Sequence, residues 1–247
     1  MVDLTSLANF LSATLKADQF GDDINGIYRP ADGLVRRIGL ILEPWTTVSD
    51  WVRSNQIDAL FCHRPWTLDM AQLPIKLGVL AYHLSFDEGL TIGYNPILAN
   101  ALGMTNLAVL GTKAGRPIGM LGRIQPQSFE NYACHIHNTL NGIEKIKLGC
   151  PQQSSVKLSS VAVVGAMSGE LIQMAAERGA DLYITGQLRH AADAMVQTTG
   201  MNVIAVGHQR SEIWGLKVLA QLLHKQWEDL DVILPDFLLE SANASEC

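Results

Sequence analysis

The chain has 247 residues, 48% of them hydrophobic, and a formal net charge of −6 at pH 7. That is enough apolar material for one large or two small domains with packed cores and no disulfide staples. The acidic balance without a lysine or arginine tract gives little electrostatic reason to bind nucleic acid, and no run approaches the roughly 20 apolar residues that a membrane span needs. The four cysteines, Cys62, Cys134, Cys150 and Cys247, are scattered with no close pair, which reads as reduced thiols. Residues Met1 to Ser6 carry neither the basic patch nor the apolar core of a signal peptide, so a soluble, cytoplasmic protein is expected.

In chain order, Leu4, Leu7, Ala8, Leu11 and Leu15 line one face of an opening helix, and Gly21 to Gly26 end it in turn chemistry. Arg37 to Leu42 reads as a buried strand. Thr46 and Thr47 can cap a helix carrying Val48, Trp51 and Val52, and Ile57 to Cys62 is the next strand. Strand, helix and strand in this order make the unit of a parallel sheet. Leu77 to Tyr82 is a third strand, and an extended continuation would put His83, Ser85 and Asp87 on one side.

Asn95-Pro96 opens a helix that leaves at Gly103, and strands at Leu107 to Leu110 and Ile118 to Ile124 flank a turn at Lys113 to Pro117. Phe129 to Leu140 reads as a helix whose His135 and His137, two apart, do not share a face and are taken as structural or solvent-exposed. After the polar stretch Cys150 to Ser155 the pattern restarts with strand Val161 to Val164, the turn Gly165 to Gly169 and a helix through Leu171 and Ala175. That turn could cradle an anion, although it lacks the lysine of a Walker loop and the full dinucleotide fingerprint. A nucleotide-binding α/β module using Gly165 to Gly169 is therefore a weaker third reading. Asp181 to Thr185 is another strand, Gly186 to His190 leads into a helix with Ala194 and Val196, and the tail Glu240 to Cys247 is expected to fray.

Val203 to Val206 is a short β-branched strand, Gly207 permits a sharp turn, and Ile213, Leu216, Leu219 and Leu223 recur at helical spacing. His208 and Glu212 therefore stand at the carboxyl end of a strand, with Glu212 in or just before a first helical turn. Ligands bind α/β sheets at that edge, and imidazole beside carboxylate suits zinc, manganese or iron. His63, in Cys62-His-Arg-Pro65, lies at the carboxyl end of another strand.

Four segments, Phe61-Cys-His-Arg-Pro65, His83-Leu-Ser-Phe-Asp87, Tyr183-Ile-Thr-Gly-Gln187 and Gly207-His-Gln-Arg-Ser-Glu212, resemble in order and spacing the Nif-three-like family, also known as GTP cyclohydrolase type 2 homologues. The likeness runs over nearly the whole chain. It implies two similar α/β lobes with mixed sheets flanked by helices, in a single unit over residues 1–247 with lobes of 1–125 plus the C-terminal part and no clear linker. It further implies metal ligands at His63, Asp87, His208 and Glu212, and a homohexamer of two stacked trimers.

One position departs: the family's second histidine is Arg64 here, and a guanidinium offers no lone pair to a metal. Two close cations need many ligands, so one divalent metal per subunit (zinc, manganese or iron) is expected rather than two. The leading functional reading is a metal-dependent hydrolase of a nucleotide-like or phosphorylated small molecule. Glu212, if not tied to the metal, could take the proton, Arg64 and His83 would contact substrate, and His190 is a more distant candidate. The alternative is a non-catalytic homohexameric assembly or regulatory protein with a structural or vestigial metal, in which Trp45, Trp51, Trp66 and Trp214 could serve interfaces.

Overall fold

A computed structural model describes residues 2–149, 157–165 and 167–239. The chain divides into two units, Met1–Phe86 with Gly215–Glu240, and Asp87–Trp214. The polar stretch Cys150 to Ser155 and the tail Glu240 to Cys247, two expectations from the sequence, lie outside the described residues.

The first part of the chain forms β1 (Val2–Asp3), α1 (Leu4–Thr14), β2 (Asn25–Arg29), β3 (Leu34–Val35), β4 (Arg37–Ile41), α2 (Val48–Ser54), β5 (Ala59–Cys62), β6 (Gly78–Tyr82) and α3 (Leu84–Leu90). Then follow α4 (Pro96–Ala101), β7 (Thr105–Val109), β8 (Thr112–Lys113), β9 (Arg116–Pro117), β10 (Gly119–Gln127), α5 (Phe129–Leu140), β11 (Lys145–Lys147), β12 (Leu158–Val164) and α6 (Gly169–Glu177). The chain continues through β13 (Leu182–Thr185), α7 (Asp193–Thr199), β14 (Asn202–Ala205), α8 (His208–Gln226), β15 (Asp231–Ile233) and α9 (Asp236–Leu239).

Each unit holds a mixed sheet. The first has the order β15-β4-β5-β6-β2, parallel except for β2, which runs antiparallel to β6. The second has the order β11-β14-β13-β12-β10-β7, parallel through β12, β13 and β14, with antiparallel strands on both flanks. The central strands β5, β6, β13 and β14 are buried at every residue, as strands covered on both faces are.

The opening helix buries Leu4, Leu7, Ala8 and Leu11 as its spacing requires. Asp3, not a later residue, caps it by accepting from the Ser6 N–H at 2.9 Å. In α2, Trp51 lies flat on Gly39 of β4: a Cβ there would stand 2.8 Å from the indole ring, so the glycine makes the seat. Trp45, Trp51 and Trp214 pack against apolar clusters of their own units, whereas Trp66 stays exposed. The turn between β8 and β9 is built by Ala114 at φ 49° and Gly115 at φ 78°, the left-handed pair that a tight two-residue hairpin demands.

The same local device occurs in both units. Asp58, just before β5, accepts the Arg36 and Arg37 N–H groups on Oδ2 at 2.8 and 3.0 Å and donates its own N–H to the Arg37 carbonyl at 2.9 Å. Asp181, just before β13, accepts the Ser159 and Ser160 N–H groups on Oδ2 at 2.8 and 2.9 Å and donates to the Ser160 carbonyl at 2.8 Å. Each aspartate ties the start of one parallel strand to the next, where ladder bonds have not yet begun. Replacing Asp181 by alanine is expected to destabilise the fold by about 2 kcal/mol, because two backbone donors lose a charged acceptor. Urea unfolding measures this, and an unchanged midpoint would refute the role.

Three local expectations are corrected. Thr47 takes the position before α2, yet its hydroxyl accepts from Trp45 Nε1 at 3.0 Å and makes no capping bond to the helix. Residues Asn25 and Gly26, read as part of a turn, start the edge strand β2. His83 to Asp87 is not extended, since α3 begins at Leu84.

Candidate metal centre

Strand β5 ends at Cys62 and delivers His63 into the interior, where its side chain is fully buried. Its Nδ1 lies 2.9 Å from the Tyr82 carbonyl oxygen. A carbonyl only accepts, so Nδ1 carries the proton and Nε2 carries the lone pair. Tyr82 is itself fixed, its hydroxyl donating to the Ala8 carbonyl of α1 at 2.8 Å, with Ser12 Oγ at 2.9 Å. Burial pushes the Tyr82 phenol up, so it remains a donor.

The neighbouring strand β6 ends at Tyr82, and the chain turns at His83 into α3. Asp23 makes this corner: one carboxylate oxygen accepts the Leu84 N–H at 2.6 Å, and the other lies 3.1 Å from His83 Nδ1. Again the acceptor assigns a proton to Nδ1. Helical winding from Leu84 brings Asp87 one turn beyond His83, while Ser85 points inward to Asn25. His63, His83 and Asp87 thus offer two imidazole nitrogens and a carboxylate oxygen, all within 4.8 Å of one another.

Tetrahedral donors at about 2.1 Å from one ion stand about 3.4 Å apart, so a pair as far apart as 4.8 Å would draw in by about 1.4 Å to take a cation. Two nitrogens and an oxygen suit zinc, manganese or iron. Around the group, the His63 and His83 rings lie 5.3 Å apart, Phe86 lies 4.9 Å from His63, and Trp66 meets His83 edge-on at 5.0 Å. This apolar wall strengthens any charge interaction inside it.

Cys62 stands next to His63 but is not a ligand in waiting. Burial pushes its thiol up to about 12, and Sγ faces the Leu42 carbonyl. The thiolate that would attack or ligate is therefore scarce at neutral pH. A brief iodoacetamide pulse on the native protein is expected to leave Cys62 unmodified in peptide mass spectra; rapid labelling there would contradict the packing.

Arg64, read as a substrate contact, donates from Nε to Glu43 Oε1 and is mostly shielded. Its N–H bonds the Leu42 carbonyl at 2.8 Å, which fixes the loop leaving β5.

In the second unit, β14 and the turn at Gly207, with φ 98°, lead into α8. That helix begins at His208, so Glu212 lies one full turn inside it rather than at its mouth. The i, i+4 spacing lets His208 Nε2 and Glu212 Oε1 meet at 2.9 Å, with the Glu212 side chain buried and His208 reaching outward. One pattern, histidine, three residues, then an acid, thus occurs twice in the chain, where β6 and where β14 gives way to a helix: His83 with Asp87, and His208 with Glu212.

His190, the more distant candidate, is exposed and lies 3.4 Å from Asp193, which Lys147 also approaches at 2.7 Å. Those hydrogen bonds, Lys147 first, hold the Asp193 carboxyl below its ordinary range. This is a surface charge pair. At the turn after β12, Ser168 caps α6 by accepting from Leu171 N–H at 3.2 Å, an ordinary helix start.

Two mixed sheets flanked by helices define a class of α/β protein, and His63, His83 and Asp87 could hold a metal ion. The chain belongs to the Duf34/NIF3 (NGG1p interacting factor 3) family, whose model matches residues 3–238. A GTP cyclohydrolase 1 type 2 homolog of Deinococcus radiodurans is 23% identical over 236 residues, covering 90% of this chain and 88% of the relative. The homolog of the same name in Haemophilus influenzae is 26% identical over 237 residues, covering 90% and 93%. The crystal structure of a Bacillus cereus protein related to NIF3 superposes with a TM-score of 0.71 at 14% identity, over 95% of this chain and 97% of that one. The mixed α/β architecture expected from the sequence is thereby established. No helix among the described residues is long and apolar enough to cross a membrane.

Proposed function

We propose that the protein is a metal-dependent hydrolase of a nucleotide-like or phosphorylated small molecule, holding one divalent ion at His63, His83 and Asp87 with His208 and Glu212 as further ligands. The observation that carries this reading is the convergence of three donors within 4.8 Å, with the Nδ1 of each imidazole held by an acceptor, the Tyr82 carbonyl oxygen for His63 and Asp23 for His83. The assignment of His208 and Glu212 rests on the family likeness and on the repeated histidine–acid spacing. The relatives' name supports a nucleotide-like substrate.

When bound, such an ion acts as a Lewis acid and makes water acidic enough to react at neutral pH. Where the Glu212 carboxylate is not tied to the ion it would accept the proton, and Arg64, steadied by Glu43, holds the anionic part of the substrate. Element analysis of protein purified without affinity metals is expected to find about one zinc, manganese or iron per chain. His208→Ala is expected to lower GTP or phosphoester turnover at least ~100-fold. Metal-free protein, or turnover indifferent to His208, would end the proposal.

A second reading is a homohexameric assembly protein whose metal is structural. Exposed apolar side chains at Leu34, Trp66 and Ile75 favour self-association. Metal-loaded protein that forms a hexamer by light scattering yet turns over neither substrate would select it.

A further inference from the structure

The loop between α1 and β2 contributes a residue that the metal reading does not use. Asp23 reaches the β6–α3 corner from sixty residues earlier in the chain and serves two donors at once, the Leu84 N–H at 2.6 Å and the His83 Nδ1–H at 3.1 Å. The loop around it is braced. Asp23 donates its own N–H to the Phe20 carbonyl at 3.1 Å, and Asn25 donates to the carbonyls of Phe20 and Asp23 at 3.2 and 3.4 Å while accepting from Ser85. The His83 N–H bonds the Ile24 carbonyl at 3.2 Å, which closes the backbone around the imidazole.

We propose that Asp23 is the positioning residue of the metal centre: it holds His83 in the Nδ1–H tautomer and pins the start of α3, so that His83 Nε2 and the Asp87 carboxylate face the same point. This rests on the metal reading above. A metal-bound histidine depends on an acceptor at its other nitrogen to fix tautomer and ring orientation, and losing that partner weakens metal affinity by about 10- to 100-fold. Asp23 does this for the imidazole and for the helix that carries the carboxylate ligand. A full carboxylate is required, because both groups it meets are donors.

Asp23→Asn is the discriminating change. The amide has nearly the same shape but only one oxygen. If that oxygen keeps the Leu84 N–H, the amide NH2 faces His83 Nδ1, which must then become an acceptor and move its proton to Nε2, the ligating atom. In metal-free protein labelled with 15N-histidine, at a pH where the ring is neutral, His83 is expected to be protonated on Nδ1 in wild type and on Nε2 in Asp23→Asn. Zinc affinity, measured by competition with a chromophoric chelator, is expected to fall about 10- to 100-fold in the variant. A purely structural role would lower the unfolding midpoint without moving the proton.

Wild type that takes up no zinc would overturn the metal centre and this proposal with it. Wild type that binds zinc but carries its His83 proton on Nε2 before loading, or Asp23→Asn that binds zinc as tightly as wild type, would overturn the role of Asp23 alone. If the variant does not fold, a wild-type His83 proton on Nε2 still overturns the role.

Discussion

Arg64→His is expected to raise the metal content from about one ion per chain toward two. The guanidinium has no lone pair and keeps its charge at any working pH, so the wild-type side chain cannot ligate and repels a cation placed beside it. Its Nε is engaged with Glu43 at the exit of β5, directly after the buried His63. An imidazole at this position removes the repulsion and adds a nitrogen, at the cost of a partly exposed ion pair worth about 1 kcal/mol or less. Arg64→Ala separates the two effects, since it removes the charge without adding a ligand. If ligation limits the second ion, only the histidine variant gains metal. If repulsion limits it, both variants do. Inductively coupled plasma measurement of all three proteins reads the outcome, and an unchanged stoichiometry in both variants would refute this account of position 64.

The strands were legible because apolar, β-branched runs such as Val161 to Val164 and Val203 to Val206 are buried at every residue and carry that composition openly. His63 could be placed at a strand end for the same reason. The start of α3 could not be read: Leu84 has no capping side chain directly before it, and its N–H is met by Asp23, far away in sequence. Without a local cap, His-Leu-Ser-Phe-Asp reads as a continuing strand, which puts His83 with Ser85. The helix instead sets His83 with Asp87 and sends Ser85 to Asn25. Nothing in Gly21-Asp-Asp-Ile-Asn-Gly26 distinguishes Asp23 from Asp22, because the difference is made by the corner that Asp23 reaches. The short β2 and β15 were hidden likewise, being polar or brief edge strands whose pairing is decided by the neighbour.

His63→Ala is expected to abolish the stabilisation that zinc confers while also weakening the metal-free fold. A buried histidine hydrogen-bonded to a carbonyl could be no more than a satisfied core residue, and truncation alone would not tell the two roles apart. Removing the ring takes the Nδ1 donor from the Tyr82 carbonyl and opens a cavity beside Phe86, a loss of about 2–4 kcal/mol on either view. The metal increment separates them. An ion at 1,000 times its Kd adds about 4 kcal/mol to the folded state, which for a chain of this size is a Tm rise on the order of 10 °C. If His63 supplies Nε2 to the ion, the variant starts lower and gains almost nothing at the same zinc concentration. If His63 is only packing, the variant starts lower and gains the full increment. Thermal unfolding of both proteins with and without zinc therefore assigns the residue, and an equal gain in the two would remove His63 from the metal centre.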